Sequence, residues 1–242
     1  MARKRQARAE QILEIAERLI AEAGVEAFSL HAVARELNVV AGTLYRYFPN
    51  KDALVAALHH RAILDLHQRY QAFSAQIAPG LESPAQPLCA SELVLAELCA
   101  ASHFYLELPK LLPNRFRFVS LMLGDPRNLI RTEDVPRSAV PLLAFLGAVR
   151  ERFERAEASG ALAPATHAGA RPLDRTLIFW SAHQGVIQLM KLQRYEADVF
   201  DYVRLGRELT HPLLLGWGAD PTALAKASAR AQAVTATLVR AS

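Results

Sequence analysis

Residues Val39–Leu54 read VVAGTLYRYFPNKDAL, a crowding of small residues, hydroxyls, aromatics and one guanidinium into a few helical turns. Leu44 and Phe48 stand at i, i+4 spacing, which puts both on one side of a short helix. Tyr45 and Arg46 must then point elsewhere. Pro49 blocks continuation of that helix, and Asn50 can cap a new one that starts at Lys51. A helix of about 41–47 is too short to be a good core helix by itself, because isolated short helices are marginal. Its other face, Ala41, Gly42, Thr43, Tyr45, Arg46 and Tyr47, is therefore suited to a partner. The bland alternative is that the aromatics pack the core of a helical bundle.

Working upstream, Ser29 is a plausible N-cap for a helix whose inner face is Leu30, Val33, Ala34 and Leu37. Asn38 follows, one of the few non-glycine residues that tolerate positive φ in a tight turn. Helix, turn and short second helix have the dimensions of a helix-turn-helix. Ala34 is small where the two helices approach, and Val39 and Leu44 fill the wedge between them. Small residues at the N-terminus of the second helix let its backbone approach base edges, while hydroxyls and a guanidinium reach phosphates or bases. Before this motif, Ile12, Ile15, Leu19, Ile20 and Ala23 mark an amphipathic helix ended by Gly24. Arg3, Lys4, Arg5 and Arg8 precede it as a basic arm suited to a phosphate backbone, a solvated terminus being the alternative.

The chain has 242 residues, of which 52% are hydrophobic and 21% charged, with a mild net charge of +4. That balance fits an ordered globular protein. The fourth helix runs from about 51 to 77, and APGLESPAQP then breaks the pattern. Further helices are expected over about 89–108, 113–123, 136–159, 172–194, 198–216 and 221–239, with prolines near starts and glycines after ends. No stretch alternates like a strand. The longest uncharged apolar run, Ala139 to Val149, falls short of the ~18 residues of a membrane span. The basic opening runs into Glu10 and Glu14, unlike a secretory signal. A soluble, cytoplasmic protein with no membrane partner is expected. Cys89 and Cys99 read as two buried thiols. His59, His60 and His67 share a helix, but no carboxylate or cysteine completes a ligand set, so no metal is expected. No phosphate loop, nucleophile elbow or zinc-protease pattern occurs, so neither a catalytic residue, a cofactor nor an enzyme is expected.

The stretch FSLHAVARELNVVAGTLYRYFPNKDALVAAL resembles the DNA-binding domain of the tetracycline-repressor (TetR) family. It carries that family's Gly-Thr-Leu-Tyr-x-x-Phe core as Gly42, Thr43, Leu44, Tyr45 and Phe48, with Lys51 beyond. The resemblance covers about residues 8–58. It implies that Thr43, Tyr45 and Lys51 hold phosphates, that His31 reads a base, and that Ala41 and Gly42 lie at the base-facing end of the recognition helix. Arg3, Lys4, Arg5, Ser29, Arg46 and Tyr47 complete the candidate DNA-binding set. Val40 departs from the serine or threonine cap common in the family, and Tyr47 from a frequent histidine.

The fold expected is all-α: an N-terminal three-helix helix-turn-helix DNA-binding domain over 1–54, then a larger helical ligand-binding and dimerisation domain over 55–242. The resemblance implies a homodimer on a palindromic operator in double-stranded DNA and a small-molecule effector. For the dimer, Ile178, Ser181, Ala182, Gly185 and Leu189 place small and aliphatic residues on one stripe, with Leu205, Leu209 and Leu213 on a later helix; intramolecular packing is the alternative. For the effector, Phe104, Tyr105, Phe116, Phe118, Met122, Phe145, Trp180, His183 and Gln184 are candidates, although such aromatic stripes more often pack a core. The function expected is a transcriptional repressor released from its operator by a small, largely apolar effector. One rival is a helical small-molecule-binding protein with a degenerate DNA-binding domain; another is an all-α enzyme.

Overall fold

The structure, a computed structural model, describes residues 2–124, 131–164 and 171–241. Within them the regular elements are helices: α1 (Ala2–Ala27), α2 (Leu30–Glu36), α3 (Ala41–Tyr45), α4 (Lys51–Leu81), α5 (Ala90–Leu111), α6 (Pro113–Gly124), α7 (Val135–Ala158), α8 (Pro172–Ile187), α9 (Tyr202–Gly216) and α10 (Pro221–Ala241), with two short 3-10 turns. Among the described residues no helix is long and apolar enough to cross a membrane.

Most ends have local chemical causes. Ser29 accepts a hydrogen bond from the Ala32 amide, Asn50 from Ala53, and Asp201 from Val203 and Arg204, each satisfying amides that open a helix. Gly24 has φ 84 and interrupts α1 near its end. The helix begins at Ala2, so Arg3, Lys4 and Arg5 ride exposed on its first turns and do not form an arm ahead of it. α4 runs through Pro79 to Leu81, beyond the expected end at about 77. α8 stops at Ile187 and tightens into a 3-10 turn over Gln188–Leu192, where a single helix to 194 was expected. Cys99 is buried, but Cys89 is exposed just before α5 and is not the second buried thiol.

Two compact units emerge, and they divide the chain otherwise than at 54/55. The first is Met1–His67 with Pro109–Leu142; the second is Gln68–Leu108 with Leu143–Ser242. The core of the first unit joins Ile12, Ala16 and Ile20 of α1, Leu30 and Val33 of α2, Leu44 of α3, and Leu54 and Leu58 of α4. Phe118 of α6 is fully buried in the same cluster, and Met122 packs against it. Around this core, Arg115 of α6 pairs with Glu17 of α1 and Asp65 of α4, while Arg61 pairs with Glu10 and Glu17. Phe116 is also buried in this unit. Phe118 and Met122 are therefore corrected from the pocket assignment: they serve the interior of the unit that contains the helix-turn-helix. In the second unit the rings of Tyr70, Phe104 and Phe145 pack together at centroid distances of 5.4 Å, and Phe153 meets Phe179 and Trp217 edge-on.

Phe118→Ala should lower unfolding stability by about 3–5 kcal/mol, the usual cost of emptying a buried aromatic site, as read from urea or thermal denaturation.

Candidate nucleic-acid interface and effector cleft

The geometry of the N-terminal motif follows from a few residues. The α2 helix ends at Glu36, and Asn38 takes φ 53, the left-handed conformation that asparagine tolerates. The Val39 amide then donates to Ala34 O at 3.0 Å, folding the chain back toward α2. Val40 opens α3 with φ −70 and ψ 140 and no side-chain cap, as its lack of a hydroxyl dictates. What holds α3 is burial: Leu44 is fully enclosed and Phe48 lies beside it, with the Phe48 amide donating to Leu44 O at 2.9 Å. The chain turns at Pro49, and α4 begins at Lys51.

This leaves one face of α3 outward. Gly42 and Arg46 are exposed, Tyr45 is 45% exposed and Thr43 is half-buried. A Cβ placed on Gly42 would meet no atom of the described residues within 4 Å, so no contact among them requires glycine there. His31 is exposed on α2, and Lys51, half-buried at the start of α4, sits 5.9 Å above the Phe28 ring. Two members of the expected outward set differ. Ala41 and Tyr47 are half-buried and pack against the core, because a five-residue helix shows several sides to its neighbours. Ser29 uses its hydroxyl as a helix cap.

In the second unit, α4, α5, α7 and α8 enclose a narrow cleft of about 20 Å³, room for little more than one water. Tyr70, Tyr105, Phe145, Phe179, Trp180 and His183 supply much of its wall. Of the expected pocket residues, Tyr105, Phe145, Trp180 and His183 meet here. Gln184 adjoins them: Trp180 Nε1 donates to Tyr105 Oη at 2.8 Å, and Tyr105 donates onward to Gln184 Oε1 at 2.6 Å. Phe104 lies behind, ring to ring with Tyr70 and Phe73. Sequence reading missed Tyr70, Thr176 and Phe179. Tyr70 and Thr176 are buried with hydroxyls that have no hydrogen-bond partner of ordinary geometry, a costly state that a ligand or water would relieve.

His183 has a defined role in the wall. Its Nδ1 lies 2.7 Å from Phe179 O, a pure acceptor, so Nδ1 carries the proton. Nε2 then accepts from Ser102 or Thr210, at 2.7 and 3.0 Å. Burial holds the ring neutral by lowering its pKa, against the hydrogen bonds to backbone that raise it.

The residues expected at a dimer interface also occupy two defined strips. On α8, Ile178 is 50% exposed, Ser181 and Gly185 are exposed, and Ala182 is half-buried; Leu189 follows in the 3-10 turn. On α9, Tyr202, Gly206, Thr210 and Leu214 point inward, which leaves Leu205, Leu209 and Leu213 half-buried on the neighbouring strip.

Comparison with known proteins gives this arrangement its class. Residues 12–58 match the model of the bacterial regulatory proteins of the tetR family. An uncharacterized HTH-type transcriptional regulator of Haemophilus influenzae is 47% identical over 53 residues, a match spanning 22% of this chain and 28% of that protein. Solved structures share the fold along most of their length. A tetR-family regulator from Rhodococcus RHA1 superposes with TM-score 0.62 at 16% identity, covering 88% of this chain and 97% of the other. One from Agrobacterium tumefaciens gives 0.59 at 17%, covering 86% and 98%. FadR from Bacillus subtilis, solved in complex with stearoyl-CoA, gives 0.59 at 18%, covering 85% and 97%. Residues 12–58 thus match the helix-turn-helix domain of the tetR family, and the chain shares its fold with solved members of that family.

His103, buried, and His59, half-buried, make a pH prediction. Burial, reinforced by His60, lowers His59 from 6.5 to about 4. Burial first, then the charges of Arg207, His183 and His211, lowers His103 from 6.5 to about 4. Each is neutral in the folded chain but protonates near pH 6.5 when unfolded, so the unfolded state binds more protons as pH falls. Urea unfolding should show stability level above about pH 6.5 and falling progressively toward pH 4, and His103→Gln should flatten part of that slope.

Proposed function

We propose that the protein is a homodimeric transcriptional repressor that binds a palindromic operator and is released by a small, largely apolar effector. The observation that carries DNA binding is the outward face of α3. Gly42, Tyr45 and Arg46 are displayed on a helix anchored from behind, and nothing among the described residues requires glycine at 42. A bare backbone at the start of a recognition helix admits base edges, while Thr43, Tyr45 and Lys51 take phosphates, Arg46 reaches backbone or base, and His31 reads a base from α2. Arg3, Lys4 and Arg5 add charge from the first turns of α1.

Dimerisation through the α8 and α9 strips fits this reading, since one helix-turn-helix reads only a half-site. The cleft around Tyr105 and Trp180 is the effector site; the FadR relative solved with stearoyl-CoA shows that this fold accommodates a ligand. The helix that starts at Lys51 also carries Tyr70, so a ligand favouring one placement of α4 biases the grip on DNA. Release requires different affinities of the effector for the two states. A soluble, cytoplasmic setting accompanies this role. The uncapped Val40 keeps one other reading in view, a ligand-binding protein with a degenerate DNA-binding domain.

A gel shift with the region upstream of its own gene separates these: a sequence-specific shift at low salt supports the repressor, and its absence supports the degenerate domain. Gly42→Ala should leave stability unchanged or raised by up to about 1 kcal/mol, because alanine is the better helix former, yet weaken the shift at least about tenfold. Lys51→Ala should weaken binding to all sequences and reduce the salt slope by about one phosphate. Ile178→Glu should convert the dimer to a monomer in sedimentation, by placing a charge at an apolar interface.

A further inference from the structure

A second cavity in the same unit, of about 170 Å³, differs from the apolar cleft in kind. Its polar lining is Ser74, Glu82, Glu97, Arg152 and Arg155. Each of three helices that line the cleft lines this chamber about one turn further along: Tyr70 then Ser74 on α4, Ala101 then Glu97 on α5, Val149 then Arg152 on α7. Tyr70 stands at the partition, with the Arg152 guanidinium 5.2 Å from its ring centroid. Its hydroxyl lies beside Ser74, which lines the chamber, so turning the ring exchanges that interaction for contact with a ligand.

The chamber is rich in donors. Arg152 donates to Ala148 O at 2.7 Å and to Ser74 Oγ at 3.1 Å, and its Nε lies 3.3 Å from Glu97 Oε2. Arg155 grips both oxygens of Glu97 end-on. A guanidinium has five N–H donors, so the two arginines hold more than these contacts use. Glu97, a single carboxylate between two cations, already has both oxygens engaged, and Glu82 is exposed to water. The two guanidiniums are matched in charge by Glu97 and Glu82, and the N–H donors they have to spare suit a hydrogen-bond acceptor group, most strongly a carboxylate.

We propose that this chamber is the head-group compartment of the effector site and that it selects an apolar molecule ending in a carboxylate. Arg155, with its side chain 46% exposed, meets the carboxylate first, and Arg152 holds it from within. The aliphatic tail enters the Tyr105–Trp180 cleft as Tyr70 turns aside. This rests on the reading of that cleft as the effector site and adds the charge its ligand must carry.

The test titrates the full-length protein with octanoate, octanol and octylammonium, all below their aggregation concentrations, following calorimetry and the combined fluorescence of Trp180 and Trp217. Octanoate should bind at least about tenfold more tightly than octanol, the usual value of a charge-assisted hydrogen bond, and octylammonium more weakly than either. In Arg155→Gln, whose thermal midpoint checks that it folds, that advantage should shrink to within about threefold while octanol binds as before. Equal wild-type affinities for octanoate and octanol, a preference for octylammonium, or an undiminished preference in Arg155→Gln each overturn the head-group assignment and leave the cleft standing. If none of the three binds, the cleft itself is not the effector site, and both readings fall together.

Discussion

The placement of α3 depends on the burial of Leu44. α3 has five residues and no side-chain cap, and a helix that short does not persist alone. Leu44, fully enclosed among side chains of α1, α2 and α4, and Phe48 one turn later convert this weak helix into a fixed one. Because the anchoring is concentrated on one side, the other side is released from structural duty. Gly42, Tyr45 and Arg46 are presented to solvent by a core that makes no demand on them. The stability of the motif and its chemistry thus reside on opposite faces of the same few residues.

That core also includes α6. Phe118 completes its interior, and Arg115 joins α6 to Glu17 and Asp65. The unit bearing the helix-turn-helix is therefore assembled from segments far apart in the chain, as Met1–His67 and Pro109–Leu142. The chain passes between the two units within α4, at Pro109 in α5 and just after Pro141 in α7. A proline inside a helix removes a backbone hydrogen bond, so two of these crossings occur where the helix is least stiff. The third, in α4, lacks such a break at the crossing.

In the second unit, one buried polar cluster closes on itself. His183, Ser102 and Thr210 satisfy one another, and burial keeps the imidazole neutral. The Tyr70 hydroxyl lies beside Ser74, while that of Thr176 has no hydrogen-bond partner among the described residues, and both residues line the apolar cleft. A turn further along the same helices, Arg152 and Arg155 share one carboxylate. The apolar cleft and the polar chamber thus differ in the chemistry of their linings.

Local chemistry made much of this legible in the sequence. Ser29, Asn38, Asn50 and Pro49 act through their own backbone, and Leu44 and Phe48 through i, i+4 spacing; these short-range effects place the helices and the outward face of α3 without reference to distant residues. Tertiary structure decided what depends on which helices meet. Phe118 and Met122 look like pocket residues until α6 is seen in the interior of the first unit. Tyr70 looks like one more apolar position on a long helix until Arg152 and Phe145 are brought against it. Aromatic side chains favour burial wherever they occur, so their composition and spacing do not distinguish core from cavity. Only the packing of α4, α5, α7 and α8 shows which of those rings stand beside open space.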